Sequence, residues 1–138
     1  MNQWWHQYLE QFDVPMAISL PMAATTTKYC VMIEPRVQKI LPLVIKNFIY
    51  LLHAHNWGCI VFHGTENEVF LKDNLAGIDN IIYHNLGVKN LTLATYNQLM
   101  TSTSFWQTLI RDHCHHALIF QSDTALLKDT IDEYLAYD

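Results

Sequence analysis

Four short apolar runs recur along the chain, separated by amphipathic stretches. Tyr29-Cys30-Val31-Met32-Ile33, Cys59-Ile60-Val61-Phe62, Asn80-Ile81-Ile82-Tyr83 and Ala117-Leu118-Ile119-Phe120 read as strands. They are continuous and rich in β-formers, as strands covered on both faces are. After the first run, Pro42 suits an opening helical turn, because the N–H it lacks has no intrahelical partner. Val44, Phe48, Leu51 and Leu52 then give that helix an apolar face, and Asn56 and Gly58 end it. Thr65-Glu66-Asn67-Glu68 fits a capping box and starts a short helix. Thr95-Tyr96-Asn97-Gln98 and Ser104-Phe105-Trp106-Gln107 fit the same pattern and predict two helical pieces across 96–112. Thr130-Ile131-Asp132-Glu133 predicts a last capped turn. Strands alternating with helices predict an α/β fold with a Rossmann-like, mainly parallel sheet and helices on both faces.

Ahead of this body, residues 1–12 predict a short amphipathic helix carrying Trp4, Trp5, Tyr8, Leu9 and Phe12. Residues 14–27, with two prolines and three successive threonines, read as an irregular lead-in. The expected organisation is a leader over 1–27 and one domain over 28–138.

In parallel sheets a ligand sits beyond the carboxyl ends of the strands. Three of the runs end in polar clusters: Glu34 with Arg36, His63 with Glu66 and Asn67, and Gln121 with Ser122 and Asp123. A carboxylate at Asp123 can hold a hard divalent cation that bridges two phosphates; its plain alternative is capping the next turn. Arg36 can grip a phosphate through two donors, or simply pair with Glu34. The run His113-Cys114-His115-His116 resembles a metal cluster, but successive residues on one segment converge poorly on one ion. Trp57, Phe105 and Trp106 are expected in the core or covering the sheet.

Composition narrows the classes. The formal charge of −5 argues against a nucleic-acid partner, which would want a basic face. It also means that a phosphate-bearing ligand must rely on one Arg, a helix N-terminus or a metal. The three cysteines, with no CxxC, read as buried free thiols of a reducing compartment. The apolar stretch 14–24 follows Glu10 and Asp13 instead of a basic segment, and no run reaches the length of a membrane span. A cytoplasmic protein is expected. GxGxxG, a Walker A loop, HExxH and GxSxG are absent, which disfavours Rossmann oxidoreductases, P-loop NTPases and α/β-hydrolases.

The segments CVMIEPR (30–36), VIKNFIYLL (44–52), WGCIVFHGTENEVF (57–70), TYNQLMTSTSFWQTL (95–109) and ALIFQSDTALL (117–127) together resemble an uncharacterised glycosyltransferase-like family, a domain of unknown function. Its pattern runs through EPR, FHG-x-x-NE, YN-x-L and Q-[ST]-D, and the resemblance covers 28–138. It implies the nucleotide-sugar-binding half of a GT-A-like fold. By that likeness Asp123 would hold Mn²⁺ or Mg²⁺ on the donor diphosphate, with Gln121 and Ser122 beside it. Glu34, Pro35 and Arg36 would lie near the nucleotide, and Tyr96 and Asn97 near the ribose or diphosphate. Asn67 and Glu68 would shape the end of the second strand. Gln121 departs from the first acid of a DxD motif. The resemblance also implies that the acceptor-binding part and any base would follow residue 138. A second copy or a partner chain is then expected over an edge near Tyr134, Leu135 and Tyr137, with Trp4 and Trp5 as a candidate cover. Two other readings stay open: a non-catalytic remnant or interaction module on the same scaffold, and a phosphotransfer or nucleotidyl-transfer domain using Asp123.

Overall fold

The computed structural model describes residues 3–23 and 25–135. In chain order the elements are α1 (Gln3–Glu10), β1 (Ile18–Ser19), β2 (Lys28–Glu34), α2 (Leu41–Leu52), β3 (Trp57–His63), α3 (Glu68–Asn74), β4 (Ile78–Asp79), β5 (Ile82–Asn85), α4 (Leu93–Met100), α5 (Thr103–Arg111) and β6 (His116–Phe120). Short 3₁₀ turns follow α2 at His53–His55 and close the described chain at Thr130–Tyr134. The main sheet has the order β5-β3-β2-β6 with every neighbour parallel. The small pair β1–β4 is parallel too. This is a Rossmann-like α/β fold.

β2 and β3 are central and fully covered, which is why they read as unbroken apolar runs. Successive residues split between the two faces. Cys30, Met32, Cys59 and Val61 face α2 and α3 through Val44, Phe48 and Leu71. Tyr29, Val31, Ile33, Ile60 and Phe62 face Phe105 and Leu109 of α5. The chain steps outward from β2 to β3 to β5 with α2 and α3 on one face. It then returns through α4 and α5 on the other face and lays β6 along the free side of β2. Right-handed crossovers require this change of face when the direction of travel reverses. The reversal puts a switch point between β2 and β6.

Several expectations need correction. The third strand is Ile82–Asn85, not Asn80–Tyr83. Ile78 and Asp79 pair with β1, and Asn80 then turns the chain with φ 71° while its amide donates to the Leu20 carbonyl at 2.8 Å. The caps of α4 and α5 also lie earlier than the pattern predicts. Thr92 and Thr95 exchange the capping-box bonds of α4, at 2.8 and 3.2 Å. Ser102 caps α5 by accepting from the Phe105 N–H at 3.3 Å. In α3 the cap position is Asn67, whose side chain makes no capping bond, so no box forms at Thr65. The last turn is 3₁₀ and starts after Asp129. Hydroxyls are dense in these stretches, and which one caps is set by where β5 and α4 leave off.

α2 ends at Leu52 and runs into the 3₁₀ turn His53–His55, which Asn56 closes in the left-handed conformation at φ 64°, while Gly58 belongs to β3. Trp57 and Phe105 are core residues, but Trp106 is 41% exposed, donating its indole N–H to the Met100 carbonyl. The leader packs on α2 and buries Trp5, Leu9 and Phe12 in the core, so Trp5 is not a spare cover for an edge. Tyr8 and Asn47 both donate to the Leu126 carbonyl, at 2.6 and 2.8 Å, and tie the leader to the last segment. β6 ends the sheet among the described residues. Nearby Tyr134 is exposed, Leu135 packs against the core, and Tyr137 lies outside the described residues. Among those residues no helix is long and apolar enough to cross a membrane.

Candidate functional site

β2 delivers Glu34 to the carboxyl edge of the sheet, and Pro35 ends the strand because it has no N–H for the ladder. The Glu34 carboxylate folds back over this turn. It accepts from the Arg36 backbone N–H at 3.0 Å, from Nε at 3.0 Å and from Nη2 at 2.8 Å. This is a two-pronged ion pair with fixed geometry. The Glu34 side chain is only 10% exposed, the Arg36 side chain 51%. Hydrogen bonding to Glu34 pushes the guanidinium above its ordinary pKa, so Arg36 is a fixed cation.

Asn67 braces the turn from behind. It is fully buried. Its Oδ1 accepts from the Gly64 N–H at 2.8 Å, and its Nδ2 donates to the carbonyls of Glu34 and Arg36 at 2.8 and 2.9 Å. Gly64 is required by proximity: a Cβ there would lie 2.6 Å from the Val88 carbonyl oxygen and 2.7 Å from that of Pro35. These backbone atoms cannot swing aside as a side chain end could.

β6 leads into a turn over Gln121–Thr124. The Thr124 N–H and hydroxyl both donate to the Gln121 carbonyl, at 3.2 and 2.6 Å. Thr124 therefore closes the turn, and Asp123 has no capping bond to make. The Asp123 carboxylate is exposed and makes no hydrogen bond or ion pair among the described residues. From the opposite side α4 brings its first turn, with Thr92 at the cap and Leu93 and Tyr96 behind it. The N–H groups of Leu93 and Ala94 precede the first intrahelical bond and have no partner within the helix.

These segments enclose a crevice of about 440 Å³. Its walls are Ile33 to Arg36 with Gln38 from the β2–α2 turn, Leu91 to Leu93 with Tyr96 from α4, and Gln121, Ser122 and Asp123 after β6. The structure thus brings together Glu34, Pro35, Arg36, Tyr96, Gln121, Ser122 and Asp123. It does not bring in Asn67, Asn97 or Glu68. Asn67 belongs to one of the three polar strand ends beyond which a ligand is expected, but it does not open onto this crevice: its side chain is consumed by three internal bonds. Asn97 follows Tyr96 on α4 and points away from it, exposed. Glu68 pairs with Lys72 at 2.8 Å on the surface of α3. The end of β3 takes no part either. His63 is buried with Nδ1 2.7 Å from the Gly64 carbonyl oxygen, and Glu66 faces Lys89 at 3.6 Å. The physical reason is the strand order: only β2 and β6 flank the switch point.

Sequence reasoning missed Gln38, Leu91, Thr92 and Leu93. Gln38 stood in plain view in the turn that follows Glu34-Pro35-Arg36. Its side chain makes no hydrogen bond among the described residues, and its Oε1 is buried without a partner. The α4 residues were hidden because the cap was placed at Thr95.

The crevice carries two carboxylates against one guanidinium, which is already neutralised. Its oxygens from Glu34, Asp123, Gln121 and Ser122 are hard donors of the kind Mg²⁺ and Mn²⁺ take. Among the described residues no group of three or more His, Cys, Asp or Glu is arranged to hold a metal. A cation here would therefore have to complete its coordination with ligand phosphates and water, as Mg²⁺ commonly does. Thiol chemistry is disfavoured. Cys30, Cys59 and Cys114 are free and buried, and none lines the crevice. Hydrogen bonding with Cys30 and burial raise the Cys59 pKa, and burial pushes the Cys114 thiol up to about 11.

Fold and site define a parallel α/β protein with a polar crevice at the topological switch point, the place where such sheets bind ligands. Residues 83–138 match a family model described as a protein of unknown function, DUF5672. The matched stretch runs from the second residue of β5 through α4, α5 and β6, so it includes Tyr96 and Gln121 to Asp123 but not Glu34, Arg36 or Gln38. No curated protein matches the chain, and no solved structure matches it.

Proposed function

We propose that the switch-point crevice binds a nucleoside-diphosphate sugar with a divalent cation, as the donor-binding part of a GT-A-like glycosyltransferase would. The observation that carries this reading is the meeting of the β2 end, the β6 end and the α4 N-terminus around one crevice of about 440 Å³. That volume suits a small organic ligand. Asp123 is the free carboxylate of the crevice and the group best suited to hold Mg²⁺ or Mn²⁺. The bound cation would neutralise the diphosphate leaving group. The first-turn N–H groups of α4 would face a phosphate oxygen. Tyr96 offers a ring against which a base or sugar can lie.

The Glu34–Arg36 pair makes cation and anion binding cooperative in this reading. A phosphate alone must take Arg36 from Glu34 and leave a nearly buried carboxylate unpaired, which is costly. A ligand that arrives with a cation exchanges one ion pair for two.

One observation favours the second reading, a scaffold without transferase activity: the crevice's sole guanidinium is already neutralised by Glu34. Calorimetric titration with UDP-glucose and GDP-mannose, with and without Mn²⁺, separates the two. The first reading expects saturable binding that needs the cation and is weakened at least tenfold by Asp123→Ala. The same substitution should change stability by less than ~0.5 kcal/mol, as an exposed unpartnered side chain allows. Silence toward every nucleotide sugar, with and without cation, would favour the bare scaffold.

A further inference from the structure

Gln38 is the odd residue of the crevice. Asp123 is exposed, and Glu34 and Arg36 are paired with each other. Gln38 lines the crevice wall, yet its Oε1 is buried with no hydrogen-bond donor among the described residues. A buried acceptor without a donor destabilises the fold, and an apolar side chain of the same shape would avoid that cost. The β2–α2 turn does not need the amide. Its geometry is held by Glu34, Asn67 and the bond from the Leu41 N–H to the Gln38 backbone carbonyl at 3.1 Å.

We infer that Gln38 is a ligand-binding residue whose amide oxygen accepts a hydroxyl of the bound molecule. This rests on the nucleotide-sugar reading of the crevice and adds to it the group that recognises a hydroxyl. The terminal torsion of a glutamine is broad, so the amide can re-orient toward a hydroxyl that enters the crevice. In the free protein it gives up no bond when it does so. The unmade bond of the free state therefore becomes net gain on binding. The other walls agree in part: the Asp123 carboxylate and the side-chain oxygens of Gln121 and Ser122 can also accept, and a polyhydroxylated ligand is rich in donors. An analogue lacking the hydroxyl would leave the acceptor unpaired, which is how such sites discriminate.

The test is the near-isosteric substitution Gln38→Met, read in two ways. The melting temperature of the free variant should equal or exceed that of the wild type. Its affinity for UDP-glucose in the presence of Mn²⁺ should fall about tenfold, an effect of ~1.4 kcal/mol. Titration with UDP separates the sources of the hydroxyl. Loss for both ligands assigns the bond to the ribose; loss for UDP-glucose alone assigns it to the sugar. Wild-type affinity in Gln38→Met, or a lower melting temperature in the free variant, would overturn the inference while leaving the nucleotide-sugar reading standing. A wild type that binds neither ligand would sink both.

Discussion

Asn67 and Arg36 show how much a residue's role depends on what already holds it. Both carry groups that suit a phosphate or a ribose. Asn67 spends all of them on three backbone groups of two adjoining turns. Asn67→Ala should leave those groups unpaired in a buried setting and destabilise the protein by ~3 kcal/mol in urea unfolding. A loss under ~1 kcal/mol would mean that the turns stand without it. Arg36 is held by Glu34 through two prongs and is still half exposed. Glu34→Gln removes the competing charge. It should raise the cation-free affinity for UDP by about tenfold and reduce the gain that Mn²⁺ brings, because an anion then finds an unpaired guanidinium. Unchanged cation-free affinity would show that Glu34 does not restrain Arg36.

Among the elements, the central strands were the most legible, because β2 and β3 are covered on both faces and must be apolar throughout. The edge strand β5 was displaced by two residues, since Ile78 to Ile81 look equally strand-like and only pairing with β1 separates them. Helix starts were legible in kind but not in place, as the Thr92 and Ser102 caps show. The last turn was visible only as a capping pattern; its partners were not. Asp132 accepts from Lys28 Nζ at 3.0 Å and from the Trp57 indole N–H at 2.7 Å, fastening this turn to the starts of β2 and β3. Burial alone would raise the Asp132 carboxyl, but the bonds from Lys28 and Trp57 outweigh it and hold the pKa below its ordinary value. Such a group stabilises fully above its unfolded pKa of about 3.9 and loses that contribution as pH falls through the lower folded value. The melting temperature of Asp132→Asn should therefore lie below that of the wild type at pH 7, and the two should converge in strong acid. A gap that stays constant across that range would assign the effect to packing instead of charge. In the next layer, Gly64→Ala should disturb both the Pro35 and Val88 backbones and should lower crevice binding and stability together.

For the whole molecule, the alternation of apolar runs and helical stretches was enough to predict a parallel sheet with helices on both faces. It could not reveal which strand neighbours which. Strand order depends on the crossover from β5 to β6, a tertiary choice that leaves no local pattern. For that reason three polar strand ends looked equivalent, whereas only those of β2 and β6 share the crevice. The switch point therefore separates Glu34, Arg36, Tyr96 and Asp123 from the bracing and surface roles of Asn67, Glu66 and Glu68. We propose that this crevice holds a nucleotide sugar with its cation. Backbone amide shifts of the isotope-labelled protein, followed by NMR during titration with UDP- or GDP-sugar and Mg²⁺, test it most directly. The expected result is saturable, cation-dependent movement confined to residues 34–38, 91–96 and 121–123. Absence of any movement, or movement centred away from these three segments, would contradict it.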